Sequence, residues 1–146
     1  MAPVTLTVAA GNTNFTGPVS SFVTSGSGTF QQANGSTITL NWYDDPANGQ
    51  GATTPTTTPG MLVDTFSHTA VGTADSFRHD GGGSVNDPAL FSMTDQVTGT
   101  LVAGGQLINR GQTEIKDPTV PEPTSLATLG ASLAGMGMID RERQKA

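Results

Sequence analysis

Alternation of apolar and polar residues constrains the fold of the first 117 residues more than any other feature. Within Ser36–Tyr43, the apolar residues Ile38, Leu40 and Trp42 alternate with residues that carry hydroxyl or amide groups. Side chains of a β-strand point alternately to opposite faces. The pattern therefore predicts a strand with one buried face, and Val4–Ala10 shows the same alternation.

Short segments of this kind recur along the chain with turn-forming residues between them. We predict strands at Val4–Ala10, Pro18–Thr24, Thr29–Gln32, Ser36–Tyr43, Met61–Val71, Ala74–Arg78, Ala89–Met93, Gln96–Ala103, Gln106–Asn109 and Gln112–Lys116. Loops or turns are predicted at Gly11–Gly17, Ser25–Gly28 and His79–Asn86, and a β-hairpin at Asn34-Gly35. The predicted fold is all-β, an antiparallel β-sandwich of the jelly-roll or immunoglobulin-like kind over residues 1–117.

The charge distribution excludes one class of partner. The net charge is −6, and all of it lies before Pro118, since acidic and basic residues balance in the rest of the chain. Nucleic acid binding needs clustered lysine and arginine, so we predict no nucleic acid partner. The absence of cysteine excludes disulfides and thiolate catalysis. No cofactor or metal site is predicted, because the chain lacks the phosphate-loop and dinucleotide-binding fingerprints and any histidine pair at metal-binding spacing.

Trp42 supports two interpretations. It is predicted to anchor the core, because it lies in phase with Ile38 and Leu40. In the alternative, the domain is a carbohydrate-binding module, in which Trp42 or Tyr43 stacks on sugars. In that hypothesis, Asp44 and Asp45 would also contribute to sugar binding.

The long polar segment Asp44–Gly60 is predicted to be a flexible, solvated loop, because it has no large apolar residue. Asp44, Asp45 and Asn48 offer oxygen ligands for calcium, but their spacing departs from the calcium-loop pattern.

The two histidines, His68 and His79, support a less favoured hypothesis of a small extracellular hydrolase. Serine and aspartate neighbours could complete a triad, namely Ser67, Ser76, Asp75 and Asp80. A triad is defined by geometry, however, and the sequence has no nucleophile-elbow motif. We therefore predict that the protein is not an enzyme.

The end of the chain differs from everything before it. A Pro-Glu-Pro triplet in the linker at residues 118–123 precedes an uncharged stretch from Thr124 to Ile139 and a mixed-charge end. The stretch predicts one short transmembrane-like helix in residues 124–146, because large apolar residues recur at steps of three and four. From Leu126 to Ile139 the helix would be about 21 Å long, against a hydrocarbon core of about 30 Å. Such a short span suits a temporary anchor.

This tail resembles the PEP-CTERM sorting domain of Gram-negative bacteria. The motif is formed by Val120, Pro121, Glu122 and Pro123, the membrane-spanning residues are Leu126, Leu129, Leu133, Met136 and Ile139, and the cytoplasmic basic end is Arg141, Arg143 and Lys145. Asp140 and Glu142 interleave with these bases, whereas tails of the family usually end in a dense arginine run.

The resemblance implies processing by an exosortase near the triplet. It also implies transient contact with the inner membrane and delivery to the cell surface or an extracellular matrix. Extracellular polysaccharide is the expected partner there, as in biofilms. The first residues, by contrast, lack the basic and long apolar regions of a secretory signal. We therefore expect a truncated start. The leading functional hypothesis is an exported, non-catalytic surface or matrix protein.

Overall fold

A computed structural model describes residues 2–87 and 89–116 of the chain. The predicted linker at 118–123 and the sorting segment at 124–146 lie outside these residues. The strands are β1 (Val4–Thr16), β2 (Val19–Gln31), β3 (Thr37–Asp45), β4 (Met61–Thr69), β5 (Ala74–Asp87), β6 (Leu90–Leu101) and β7 (Gln106–Lys116). Across this described part, no helix is long and apolar enough to cross a membrane.

The strands form two antiparallel sheets, which confirms the predicted all-β architecture. One sheet has four strands in the order β1-β6-β3-β4, and the other has three in the order β5-β2-β7. We call them sheet A and sheet B. Their inner faces enclose a core built on Phe30, Ile38, Leu40, Trp42 and Phe77. A smaller cluster, formed by Val19, Phe91 and Met93, lies apart from it.

Several predicted breaks between strands are wrong. Gly11–Gly17, Ser25–Gly28 and His79–Asn86 were predicted as loops or turns, but almost all of these residues lie within β1, β2 and β5. The segments predicted at 89–93 and 96–103 likewise form one strand, β6, and those at 106–109 and 112–116 form β7. The glycines serve packing between sheets: a Cβ on Gly26 would lie 2.3 Å from Leu40 Cδ1. They are therefore strand residues that let the facing sheet approach closely.

The predicted hairpin at Asn34-Gly35 is a turn, but it is not a hairpin. The Ser36 amide donates to the Ala33 carbonyl at 2.8 Å, and Gly35 has a φ of 82°. The flanking strands β2 and β3 nevertheless belong to different sheets. The turn crosses from one sheet to the other, and it is held against the β4–β5 connection by a 2.9 Å bond from the Gly35 amide to the Ala70 carbonyl.

The two sheets are unequal, and this difference exposes one strand. Side chains join β4 to β5 and β6 to β7, and β2 and β3 share the main core. Because sheet B has one strand fewer, no strand of it faces β1. The inward-facing residues Val4, Leu6 and Val8 of β1 consequently remain exposed.

Candidate functional site

A regular array of hydroxyl groups covers part of the outer face of sheet A. In β3, Ile38 and Leu40 point into the core, so Thr37 and Thr39 point outward. The register extends these positions into two rows of four across the sheet. The first row is Thr5, Thr100, Thr37 and Thr69, and the second is Thr7, Thr98, Thr39 and Ser67. We call these eight residues the threonine face.

The spacing of the residues in this array is set by the geometry of the β-sheet. Neighbouring strands that carry a row are about 4.8 Å apart, and the residues of the two rows are about 6.6 Å apart along each strand. Some hydroxyls bond to each other: Thr5 to Thr100 at 2.8 Å, Thr7 to Thr98 at 3.1 Å and Thr39 to Ser67 at 3.0 Å. A hydroxyl has one donor and two acceptor sites, so each retains bonding capacity toward solvent.

The polar segment 46–60 borders the threonine face. The loop was predicted to begin at Asp44, but Asp44 and Asp45 belong to β3. Segment 46–60 contains no strand, as predicted, but it is packed against sheet A rather than free in solvent. Ser92 Oγ donates to the Gly49 carbonyl at 2.6 Å, and Gln96 Nε2 donates to the Pro55 carbonyl at 2.8 Å. The close contact of Gly51 with Thr94 leaves no room for a Cβ. The segment therefore borders the threonine face on one side.

The structure separates the two aromatic residues that the sequence proposed for sugar stacking. Trp42 is 1% exposed and anchors the core, as predicted, so it cannot stack on a sugar. Tyr43 is half-buried and lies on the outer face of sheet A, in the strand that carries Thr37 and Thr39. Asp44 and Asp45 are buried. Of the residues named for carbohydrate binding, Tyr43 alone lies on the outer face of sheet A.

Both histidines lie in a seam that joins β4 to β5. His79 Nε2 lies 2.8 Å from Asp64 Oδ2, and His68 Nε2 lies 2.9 Å from Asp75 Oδ2. Phe66 and Phe77 pack between these pairs, with ring centroids 5.7 Å apart. Each strand thus contributes one aspartate, one phenylalanine and one histidine, in antiparallel order. The sequence identified both histidines, but it did not predict that Asp64 pairs with His79.

Hydrogen bonds keep both aspartates of the seam ionised. Partial burial raises the pKa of Asp64, but hydrogen bonds from Thr24 and His79 outweigh it and leave this pKa below its ordinary value. The Val71 amide and His68 lower the pKa of Asp75. Trp42 and Phe66 stack on the His79 ring at centroid distances of 5.4 and 4.8 Å. The seam therefore closes this side of the sandwich with polar and aromatic contacts.

The residues proposed for a hydrolase do not form a triad. His68 and His79 share the inward face but are separated by phenylalanines, and each ring binds an aspartate. Ser67 and Ser76 alternate with the inward-facing residues of β4 and β5, so they point away from both histidines. The fourth candidate, Asp80, pairs with Arg78 on the outer face of sheet B at 2.5 Å.

A second polar cluster lies at the end of the sandwich that holds the smaller apolar cluster. Asp44 and Asp87 are 3% and 1% exposed. Asp44 Oδ1 and both carboxylate oxygens of Asp87 are buried and have no hydrogen-bond partner among the residues that the structure describes. Burial and the nearby charges of Asp87 and Asp45 raise the pKa of Asp44 to about 6. Burial also raises the pKa of Asp87.

The residues considered for calcium do not converge. Asp45 accepts hydrogen bonds from the Ala47 and Gly49 amides at 3.0 and 2.8 Å, which shapes the start of segment 46–60. Asn48 bonds to Asn14 of β1 at 2.9 Å, and Asp44 points into the sandwich. Among residues 2–87 and 89–116, no group of three or more acidic, histidine or cysteine side chains is arranged to hold a metal ion.

Comparisons with known proteins identify no family. No family model matches the chain, and no curated protein matches it. Among solved structures, infectious bursal disease virus Gt strain is similar with a TM-score of 0.37 and 15% identity, over 78% of this chain and 30% of that chain. The VP2 subviral particle of the same virus gives a TM-score of 0.35 and 12% identity, over 77% and 31%. The chain thus spans about a third of the length of these structures.

Proposed function

We propose that this chain is an exported, non-catalytic protein of the cell surface or extracellular matrix. The tail supports export and sorting through the order of its three parts: the motif at 120–123, the apolar stretch and the basic end. In this proposal Leu126, Leu129, Leu133, Met136 and Ile139 form a short helix that spans the inner membrane transiently. An exosortase then processes the chain near Pro121–Pro123 and releases the β-domain.

A mass measurement of material recovered from outside the cell tests the sorting proposal. Processed protein is expected to lack residues 124–146. Recovery of secreted protein that retains an intact Thr124–Ala146 would refute processing. Glu122→Ala is a suitable variant, because it alters the triplet while leaving the apolar stretch unchanged, and it is expected to accumulate as unprocessed chain in the membrane fraction.

We further propose that the β-domain binds neutral extracellular polysaccharide through the threonine face. The observation that carries this proposal is the array itself: eight hydroxyl-bearing residues in two register-matched rows, without a charged residue among them. Sugars present hydroxyl groups at regular intervals, and such groups can exchange hydrogen bonds with an ordered row of threonines. Tyr43, on the same face, adds a half-buried ring for stacking.

The binding proposal is tested by removing hydroxyl groups without changing shape. The double variant Thr39→Val and Thr98→Val keeps β-branched side chains, which suit a strand. It is expected to lose binding to purified extracellular polysaccharide in a co-sedimentation assay while it keeps its melting temperature. The matched control is Thr29→Val, on the exposed outer face of sheet B. Equal binding by the double variant and the control would refute the role of the threonine face.

We also propose that the sandwich is a reduced jelly roll. β1 pairs with β6, β6 with β3 and β3 with β4, while β2 pairs with β5 in the other sheet. This nested order is that of a jelly roll in which segment 46–60 replaces one hairpin of sheet B. Jelly rolls serve many unrelated functions, so the fold does not by itself favour any of the functions considered.

A further inference from the structure

The two long sides of the sandwich differ in how far side chains close the space between the sheets. The seam of aspartates, histidines and phenylalanines closes the side between β4 and β5. On the other side, no strand of the described part of the chain faces β1, and its inward residues Val4, Leu6 and Val8 are 69%, 65% and 52% exposed. Apolar residues at inward positions of a sandwich normally face a second sheet.

An apolar groove runs beneath β1. It has a volume of about 400 Å³, and its lining also includes Val97, Leu101 and Leu107, together with Gly99 and Asn109. Leu107 belongs to β7, the edge strand of sheet B. The groove therefore occupies the position that a fourth strand of sheet B would fill, next to β7 and opposite β1.

Both strands that border the groove have an edge that no described strand covers. Among residues 2–87 and 89–116, β1 pairs only with β6 and β7 pairs only with β2. Edge strands are commonly protected by charged residues or proline. The 13 residues of β1 include neither. A long, uncharged edge strand with exposed apolar residues favours pairing with another strand.

We propose that a second copy of this chain fills the groove, with a two-fold axis running parallel to the strands. Such an axis exchanges the two layers, so sheet A of one copy continues into sheet B of its partner. Each copy supplies the strand that the other lacks: β1 lies beside the partner's β7 and faces the partner's β1. The proposal goes beyond the proposed function and does not depend on it.

The topology fixes the direction of the new pairing. β1 and β3 run in the same direction, since both are antiparallel to β6. β7 also runs that way, because it is antiparallel to β2, and the turn at 33–36 reverses the chain between β2 and β3. A two-fold axis along the strands preserves direction. The pairing between copies is therefore parallel, which gives mixed sheets of a common kind.

The size of the contact is sufficient for a stable dimer. The 11 residues of β7 span about 36 Å, and two sheets about 10 Å apart give an edge about 20 Å deep. The product is about 700 Å² for each copy, close to the roughly 800 Å² of a standard protein interface. Because β1 has no charged residue, two copies with a net charge of −6 can approach there without placing like charges opposite each other on this strand.

Sedimentation velocity of the full chain tests the proposal. Wild type is expected to be dimeric. Leu6→Lys is expected to weaken association by roughly a thousandfold, because the lysine enters each dimer twice. The matched control is Val71→Lys, which changes a similarly exposed residue, 72% accessible, on the opposite side of the sandwich. It is expected to remain dimeric, and circular dichroism verifies that both variants fold.

A further variant distinguishes the second copy from the chain's own C-terminal segment. Leu129→Lys alters that segment and is expected to leave the dimer intact. A monomeric wild type, a dimeric Leu6→Lys or a monomeric Leu129→Lys would each overturn the proposal.

Crosslinking tests the axis separately. Because the chain has no cysteine, Val8→Cys introduces a single thiol, and a bifunctional thiol reagent should join two copies at the axis but should not join Val71→Cys. A dimer in which Val8→Cys remains unlinked would refute this geometry.

Discussion

Replacing Asp44 with asparagine tests how the buried acidic cluster controls stability. The pKa of Asp44 is raised from 3.8 to about 6 by burial and by Asp87 and Asp45. A raised pKa means that the folded state binds the proton more tightly than the unfolded state does. The stabilisation from this proton is fully present below pH 4, and it is lost as the pH rises through 6. Wild-type protein should therefore become more stable as the pH falls from 7 to 4.

The expected magnitude follows from the shift. A change from 3.8 to about 6 corresponds to at most about 3 kcal/mol between the two ends of this range. Asp64 and Asp75 oppose it only slightly in this range, because their lowered pKa values place most of their loss of stability at more acidic pH. Asp87 and Asp95, whose pKa values burial raises, contribute a smaller slope of the same sign.

Urea denaturation at a series of pH values measures this slope. Asp44→Asn is expected to lose most of it, whatever its stability at any one pH. Asp80→Asn is the control, because Asp80 is an exposed residue with a lowered pKa, and it should retain the wild-type slope. An unchanged slope in Asp44→Asn would show that the proton is not held at Asp44 and would refute the reasoning.

Two further substitutions test the interior. Gly81→Ala would place a Cβ 2.1 Å from Asp64 Oδ2, so it is expected to disrupt the contact with His79 and to cost about 1–3 kcal/mol in urea denaturation. Gly99→Ala is its control, since its Cβ would meet Leu107 at an ordinary 3.5 Å, and an equal loss in both would exclude a specific role for the seam. Trp42→Ala is expected to cost about 3–5 kcal/mol, because this side chain is fully buried.

The sequence predicted individual strands better than it predicted their neighbours. Alternation correctly assigned Ile38 and Leu40 to the core and Thr37 and Thr39 to the outer face. The same alternation puts Asp64, Phe66 and His68 of β4 on one face of the strand. Alternation is a local property and says nothing about which strand lies beside which. The threonine face was missed for this reason, although Thr-x-Thr occurs in three of its four strands and Ser-x-Thr in the fourth.

The glycines explain the largest error in the predicted strands. The sequence predicts turns at Gly26, Gly28 and Gly81, because glycine is frequent in turns. In the structure they are inward positions of β2 and β5, where Leu40, Phe77 and Asp64 of other strands leave no room for a Cβ. The partner that requires a glycine lies far away in the sequence. A chain read residue by residue cannot distinguish this requirement from that of a turn.

The proposed dimer changes what the threonine face can do. A two-fold axis along the strands relates the two copies by half a turn. The outer faces of their two A sheets therefore point in opposite directions, and the two threonine faces lie on opposite surfaces of the dimer. If the face binds polysaccharide as proposed, one dimer can join two polymer chains.

Leu6→Lys should then bind polysaccharide as single copies but fail to crosslink it, because Leu6 lies on the inward face of β1, opposite Thr5 and Thr7. Viscosity of a polysaccharide solution measures the difference: wild type should raise it, whereas Leu6→Lys should not. An equal increase in viscosity with both proteins would show that crosslinking of polysaccharide does not require the dimer.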